Sequence, residues 1–281
     1  MTVRAVLFEA HGAEREVELE PKVLRSLGRD RLLWIDVDGP EDGELRATAE
    51  TVKVPLPVRP RSADPERPHL WRHEGWIRLR LNAIQGPADG PPGSVPLDAR
   101  SLDLIAGPNV VITIHEGAID AIDTAAAQLR GESGLGRLDA AALLAVIADE
   151  VLNQYLRHVE SIERRIDVLD ELAIRGGAVD TYLNEVVILR RRGALLRRLL
   201  APHREAFGPL ARPDFEVAAL GRPWPGLVDR LELAIVAIES VRDLLIGSVE
   251  LHQSSTSQRV NDVMKRLTIL NAVLLPAVVL A

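Results

Sequence analysis

Hydrophobic and polar positions follow two different rhythms along the chain. Up to about residue 137, apolar residues come in short runs or strict alternation, as in 31–37 (RLLWIDV) and 76–81 (WIRLRL), with Gly, Pro or Asp between them. Such runs predict strands. Further strands are predicted at residues 3–8, 15–19, 101–105 and 109–115, and short helices at 40–52 and 118–129. This part is therefore expected to be a mixed α/β unit.

From residue 138 the apolar positions recur at helical spacing. Residues 138–174 contain no Pro or Gly and predict one long helix, and residues 180–206, rich in Arg, predict a second. The short Gly-containing turn between them favours an antiparallel hairpin. After a proline-rich connection at 212–225, residues 227–275 contain no proline and predict a helix that reaches about 80 Å at 1.5 Å per residue if it continues to the last residue.

The first half of this third helix carries a hydrophobic seam with 4-3-type spacing, interrupted by Arg242. Its members are Leu231, Ile235, Ile238, Leu245, Val249 and His252. A seam of this kind packs against other helices. The sequence leaves two partners equally open: the same helix of symmetry-related copies, or helices of its own domain.

The last thirty residues change character twice. Residues 252–258 (HQSSTSQ) are polar but contain no carboxylate or guanidinium, which is typical of a loop or of a helix that lines a wet passage. Lys265 and Arg266 then precede residues 267–281, which carry no charge. Basic residues flank membrane spans on the cytoplasmic side, and a span needs about 20 apolar residues. We therefore expect a transmembrane helix cut at Ala281; the alternative is an apolar helix buried in a soluble core.

Composition narrows the class of protein. The formal net charge of −7 argues against a nucleic-acid partner, and the lack of cysteine excludes disulfides and Cys-ligated zinc. No Gly-rich phosphate loop, nucleophile elbow or paired-carboxylate motif stands out, so an enzyme is not expected. The first residues lack an apolar run behind a basic flank, so no signal peptide is expected.

Several blocks resemble one family in the order in which that family has them. Residues 254–276 (SSTSQRVNDVMKRLTILNAVLLP) are similar to the end of the stalk helix and the start of the first transmembrane helix of the CorA family of metal-ion transporters, which includes the ZntB branch. Residues 31–45, 67–84, 104–123 and 189–207 resemble, less specifically, its early strand, central strand pair, closing strand and helix, and second hairpin helix. The resemblance covers nearly the whole chain.

The resemblance implies an α+β fold in three parts. These are an N-terminal α/β/α domain with a mixed sheet (1–137), a helical hairpin packed on it (138–210), and a stalk helix that runs into a truncated transmembrane segment (226–281). It also implies a homopentamer in the bacterial inner membrane, with this portion mainly cytoplasmic. The expected ion is divalent, Mg²⁺ or Zn²⁺, with Co²⁺ and Ni²⁺ open, and no organic cofactor is expected. A membrane-tethered or soluble helical scaffold without ion transport is the alternative.

The resemblance also assigns candidate site residues. The pore-lining stripe would be Asn261, Met264, Leu267, Asn271, Leu275 and Val278, and its spacing of three and four places it on one helix face. Met264 and Leu267 match the hydrophobic constriction, and Glu250 matches an acidic ring at the inner mouth. The regulatory aspartate of magnesium-regulated members aligns with Gly226, so Asp229 or Asp243 would have to replace it. The Gly-Met-Asn entrance filter is expected beyond Ala281.

Overall fold

The computed structural model describes most of the chain. The described residues are 2–9, 14–28, 31–39, 41–60, 67–89, 97–131, 139–175, 179–212 and 224–280, and for 42, 130–131, 179–181, 225 and 273–280 only the backbone is described. The predicted breaks around Pro40, 131–136 and 176–177 fall largely outside them.

Seven strands form one mixed sheet. They are β1 (Thr2–Glu9), β2 (Glu14–Glu16), β3 (Arg31–Asp38), β4 (His69–His73), β5 (Trp76–Gln85), β6 (Asp98–Gly107) and β7 (Val110–His115). The order is β2-β1-β3-β7-β6-β5-β4; β3 and β7 are parallel and every other neighbouring pair is antiparallel. The mixed sheet expected from the sequence is confirmed, although β2 is shorter than predicted and β5 and β6 are longer.

Helices cover both faces of this sheet, as the expected α/β/α arrangement requires. One face, with Leu33, Ile35 and Ile112, packs against α2 (Asp42–Val52), with side chains of α1 (Pro21–Arg25) at its margin. The other face, with Trp34, Leu79 and Leu104, shares a core with α3 (Asp120–Gly131) and the helices that follow. Residues of β3 alternate between the two cores, since successive strand side chains point to opposite faces. This explains why β3 reads as a continuous apolar run.

The long helices are α4 (Ala140–Arg175), α5 (Val179–Leu200) and α7 (Trp224–Leu280). Arg165 of α4 pairs with Glu185 of α5, and Arg192 donates to His158 2.7 Å away, so these two helices are antiparallel. The second hairpin helix was predicted to reach residue 206, which is wrong. It ends at Leu200, and a separate short helix, α6 (His203–Phe207), begins after Pro202, because a proline cannot donate the helical hydrogen bond.

The seam on the third long helix packs within its own chain. Leu231, Ile235, Ile238 and Leu245 are buried in the same core as α4 and α5, and Val249 packs against it. Arg230, near the start of α7, contacts Asp149 near the start of α4, and Arg259, further along α7, contacts Ala173 near the end of α4. The two helices therefore run in the same direction. Of the two partners that the sequence left open, the helices of its own domain are the correct one for this half of α7.

Candidate functional site

The candidate site lies on α7, a continuous helix of 57 residues that extends about 85 Å at 1.5 Å per residue. Its first half is anchored to the domain and its second half leaves it. The polar run 252–258 is helical, which excludes the loop interpretation. Within that run His252 is buried and stacks on Tyr182 of α5, with ring centroids 4.1 Å apart. The run therefore anchors α7 as well as presenting polar groups to water.

A hydrogen-bonded chain crosses the three long helices at this level. The Tyr182 hydroxyl donates to Ser248 Oγ at 2.8 Å, and Ser248 in turn donates to the Asp170 carboxylate. Burial raises the pKa of Tyr182 above its ordinary value, so the phenol stays protonated and able to donate. α7 is thus tied to both α4 and α5 one turn before the polar run.

Within the described ranges, the last contacts between α7 and the domain are made to the carboxyl end of α4. Arg259 Nη2 donates to the carbonyl oxygens of Ala173 and Ile174 at 2.7 and 2.8 Å, and Ser255 Oγ donates to Ala173 O at 3.2 Å. These carbonyls belong to the last turn of α4, where backbone acceptors have no partner within the helix and carry partial negative charge. We name Ser255, Arg259 and the carbonyls of Ala173 and Ile174 the α4 clamp.

Beyond the α4 clamp, the described side chains of the predicted stripe are not covered by the described part of the domain. Asn261, Met264, Leu267 and Asn271 are all exposed, Met264 at 57% and Leu267 at 48%. At 100° per residue the six predicted positions span an arc of about 120°. The side chains of Leu275 and Val278 lie outside the described residues. Exposed apolar side chains such as those of Met264 and Leu267 indicate a surface that contacts another protein chain or lipid.

The three candidate carboxylates, Asp229, Asp243 and Glu250, are exposed on α7. Glu250 lies eleven residues before Asn261 and Asp243 seven before Glu250, spacings that return to nearly the same side of a helix. Both therefore continue the face of the stripe. Gly226 is also exposed, and a Cβ added there would meet nothing within 4 Å.

Glu250 and Asp243 line a groove of about 1150 Å³ between α5 and α7. Its charged lining consists of Glu239, Asp243 and Glu250 with Arg190, Arg197, Arg198 and Arg242. The arginines offset the field of the carboxylates, so a single chain concentrates cations here less than its acids alone would. In the part of the chain that is described, no three His, Asp or Glu side chains come together in a way that could hold a metal ion.

Besides His252, three histidines are buried, and the sequence does not indicate their partners. Burial, with the charges of Arg192 and Arg157, lowers the pKa of His158 to about 4. His203, fully buried, accepts a hydrogen bond from the Asn82 amide at Nε2 and faces Leu200 O with Nδ1. Burial lowers its pKa to about 4 as well, although its bonds to backbone carbonyls oppose this shift. Both are neutral near pH 7; His203 links the end of α5 to β5, and His158 links α4 to α5.

His115 lies between Asp36 and Asp38 where the parallel strands β3 and β7 end. Burial alone would lower its pKa, but the hydrogen bond and charge of Asp36, the Gly117 carbonyl and the charge of Asp38 outweigh it and raise the pKa. Asp38 also accepts the Gly117 N–H at 2.5 Å. This group fixes the turn that leads into α3 and is remote in the chain from the stripe.

Sequence reasoning missed the α4 clamp and the Tyr182–Ser248–Asp170 chain. Arg259 and Ser255 read as an ordinary charge and an ordinary polar residue, and their partners are backbone atoms about eighty positions earlier. The only available signal was the placement of Ser, Thr and Arg on α7 opposite the stripe. Spacing shows that they share a face but not what covers it.

Within the part of the chain that the structure describes, no helix combines the length and apolar character that crossing a bilayer requires.

The architecture, a sheet domain from which one very long helix departs, occurs in other solved structures. The full-length CmaX structure superposes with a TM-score of 0.68 at 21% identity and covers 97% of this chain and 83% of that one. The soluble domain of CorA from Methanocaldococcus jannaschii gives a TM-score of 0.61 at 16% identity, over 90% of this chain and 95% of that one. At these identities the likeness concerns the fold.

Sequence comparison identifies the family. The sequence model of the family described as CorA-like Mg²⁺ transporter protein matches residues 29–281, and the chain belongs to this family. A Bacillus subtilis protein described as the putative metal ion transporter YfjQ is 23% identical over 251 residues, 88% of this chain and 76% of that protein. The cobalt/magnesium transport protein CorA of Thermotoga maritima is 27% identical over 188 residues, 66% of this chain and 53% of that protein. The chain therefore spans three quarters of the first relative and about half of the second. The family comprises metal-ion transporters rather than enzymes.

Proposed function

We propose that this chain is the cytoplasmic part of a divalent-cation channel or transporter of the bacterial inner membrane, in which five copies surround one axis and α7 continues as the first transmembrane helix. The observation that carries the proposal is the stripe beyond the α4 clamp. Met264 and Leu267 are exposed on a helix that has left its domain, in a family of metal-ion transporters. Five such helices around an axis would cover these side chains.

In this arrangement the stripe forms successive rings along a pore. Rings of Met264 and Leu267 form a hydrophobic constriction, which stops ions when water leaves it. The Asn261 and Asn271 rings, with Leu275 and Val278 further along, line the remainder of the wall. The amide oxygens can hold the water shell of a cation without adding charge.

The carboxylates have separate roles in the proposal. Glu250, on the face of the stripe, forms an acidic ring where ions leave the pore for the cytosol. Asp243, on the same face, and Asp229, near the start of α7, are candidates for regulatory metal. One chain brings no three such ligands together within its described residues, so this site would need carboxylates from neighbouring subunits. Gly226 supplies no ligand itself.

The donor set favours Mg²⁺ as the transported ion. Of the polar stripe and acidic positions, Asn261, Asn271 and Glu250 offer only oxygen acceptors or neutral amide nitrogens, and hard cations such as Mg²⁺ prefer oxygen. Zn²⁺ is better matched to nitrogen and sulfur ligands. The name of the Thermotoga maritima relative includes cobalt and magnesium. Mg²⁺ is therefore the first ion to test, followed by Co²⁺, Ni²⁺ and Zn²⁺.

The decisive experiment compares two exposed apolar residues on opposite sides of α7. Leu267 lies on the stripe, whereas Ile269, exposed at 56%, lies about 160° away at 100° per residue. The full-length protein is reconstituted in liposomes and Mg²⁺ entry is followed with an internal indicator. Leu267→Ser should raise the flux several-fold, because a ring of hydroxyls wets the constriction, and Ile269→Ser should leave it near the wild-type value.

Equal effects of the two substitutions would remove Leu267 from the pore wall. If the wild-type protein carries none of the four metals, the scaffold alternative replaces the transporter. Reading the gene past Ala281 separates the two in another way. A Gly-Met-Asn-like triplet followed by a second apolar span is expected for the transporter, and its absence would favour the scaffold.

A further inference from the structure

Among the residues that the structure describes, the last point at which α7 is held by its domain is a single arginine. After Arg259, the described side chains from Val260 to Ala272 are exposed, and the one hydrogen bond that the structure gives there, from Thr268 to Met264 O, lies within α7 itself. From His252 back to Trp224, a buried residue recurs on every turn of α7, and between His252 and Arg259 only Ser255 is partly buried. Arg259 therefore marks the boundary between the anchored and the free part of the helix.

The bonds that Arg259 makes are strong for an exposed residue. Its guanidinium is permanently charged and contacts two carbonyls of the last turn of α4, where the helix dipole is negative. Charge-assisted hydrogen bonds are about twice as strong as neutral ones. Ser255 adds a neutral bond to one of the same oxygens.

The body of α4, before the end that Arg259 contacts, is connected to the rest of the domain. The Tyr155 hydroxyl donates to Asn82 O of β5 at 2.9 Å, and Arg165 pairs with Glu185 of α5. A displacement of the sheet or of the hairpin therefore moves the carbonyls that Arg259 holds. Asn261 and Met264 follow Arg259 by two and five residues, which is about 3 and 8 Å along the axis.

The geometry points to Arg259 as the positioning residue that couples the α4–α5 hairpin to the Met264 and Leu267 rings. This inference rests on the proposed function, because it needs those rings to form the constriction. Without the guanidinium, the nearest remaining anchors are Ser255 and the stacked His252, one to two turns earlier, so the free part of α7 becomes longer by that amount. Rings on a longer free segment are held together less closely and dewet less completely.

The experiment measures position and flux on the same full-length protein. Because residues 1–281 contain no cysteine, Leu172→Cys on α4 and Val263→Cys on α7 place two spin labels at exposed positions outside the α4 clamp, once any cysteine beyond residue 281 is replaced. Labelled subunits are diluted with unlabelled ones, so that the distances within one subunit dominate. The distance distribution is then compared with Mg²⁺ flux in liposomes.

Arg259→Gln should broaden the distance distribution and raise the flux about threefold or more, since the constriction wets more readily. Arg259→Lys should restore most of both, because it keeps the charge. The matched control is Arg175→Gln, which removes a guanidinium at the same helix end whose ion pair is with Glu171 of α4 itself. It should change neither readout.

Three results would overturn the inference: an unchanged distribution in Arg259→Gln, a broader distribution with unchanged flux, or no recovery with Lys. If Arg259→Gln does not assemble, Ser255→Ala removes the weaker bond and should move both readouts less, in the same direction; no movement in either counts against the inference. If the wild-type protein transports no metal ion, both the proposed function and the coupling through Arg259 are disproved. If the wild-type protein conducts Mg²⁺ but Arg259→Gln changes neither the distance distribution nor the flux, only the coupling through Arg259 is disproved.

Discussion

The two halves of α7 have the same secondary structure and opposite surroundings. In the first half Leu231, Ile238 and Leu245 are buried against α4 and α5. In the second half Val263, Met264 and Leu267 have similar apolar character and remain about half exposed. The difference lies in what the domain offers as a partner, because α4 ends at Arg175, level with Arg259. Helical periodicity therefore states which residues share a face, and the length of the neighbouring helices decides which faces are buried.

The comparison is tested most strongly by truncating one side chain in each half. Ile238→Ala should lower the free energy of unfolding by about 3 kcal/mol, because it leaves a cavity in a packed core. Leu267→Ala should change it by less than about 0.5 kcal/mol, because that side chain has no core to leave. Urea denaturation of the 281-residue chain, followed by circular dichroism, measures both. Similar losses in the two variants would mean that the second half also packs within the subunit.

Acidification should lower the free energy of unfolding of the domain that holds the first half of α7. His203 has a folded pKa of about 4 against an ordinary value of 6.5, so between these values the unfolded chain binds more protons. Stability should therefore fall as the pH drops from about 6.5 to 4, by up to about 3 kcal/mol from this residue. His158 acts in the same direction.

The pH effect is measured as the slope of unfolding free energy against pH. The slope should become shallower in His203→Gln, because this substitution removes the buried group whose pKa is lowered. A His203→Gln variant with the full wild-type slope would show that another group is responsible.

A smaller effect is expected at Gly247, on the exposed side of α7 between the two halves. A Cβ added at this glycine meets nothing within 4 Å. Gly247→Ala should raise the thermal midpoint modestly, by a stabilisation of about 0.5–1 kcal/mol, because alanine loses less backbone entropy in a helix. A destabilised variant would indicate that this side of α7 is covered in the assembled protein.

The smallest expected effect concerns an ion pair at the base of α7. Arg204 of α6 binds Glu232 through two hydrogen bonds of 3.1 and 2.8 Å, and both side chains are half exposed. The bond to Arg204 lowers the pKa of Glu232. A double-mutant cycle with Arg204→Ala and Glu232→Ala should give a coupling below about 1 kcal/mol that weakens in high salt. A larger, salt-independent coupling would place this pair in a drier environment than the isolated chain provides.

Much of the fold could be predicted from local patterns. Alternation in 76–81 gave β5, and the absence of Gly and Pro in 138–174 gave α4 to within two residues at each end. The hairpin was predicted correctly, except that Pro202 divides its second helix. The positions of the stripe on one face also follow from sequence, because a helix of fixed pitch leaves no freedom in which residues align. Their role as a pore wall stays a proposal.

Tertiary structure decided which of these faces is covered and by what. The burial of Ile235 and Ile238 depends on α4 and α5 lying beside them, and the bonds of Arg259 depend on α4 ending where it does. Neither follows from spacing, since both pair groups that are distant in the chain, and the partners of Arg259 are backbone carbonyls that every residue type possesses. Periodicity is a local property of one helix, whereas burial is a property of two surfaces that meet.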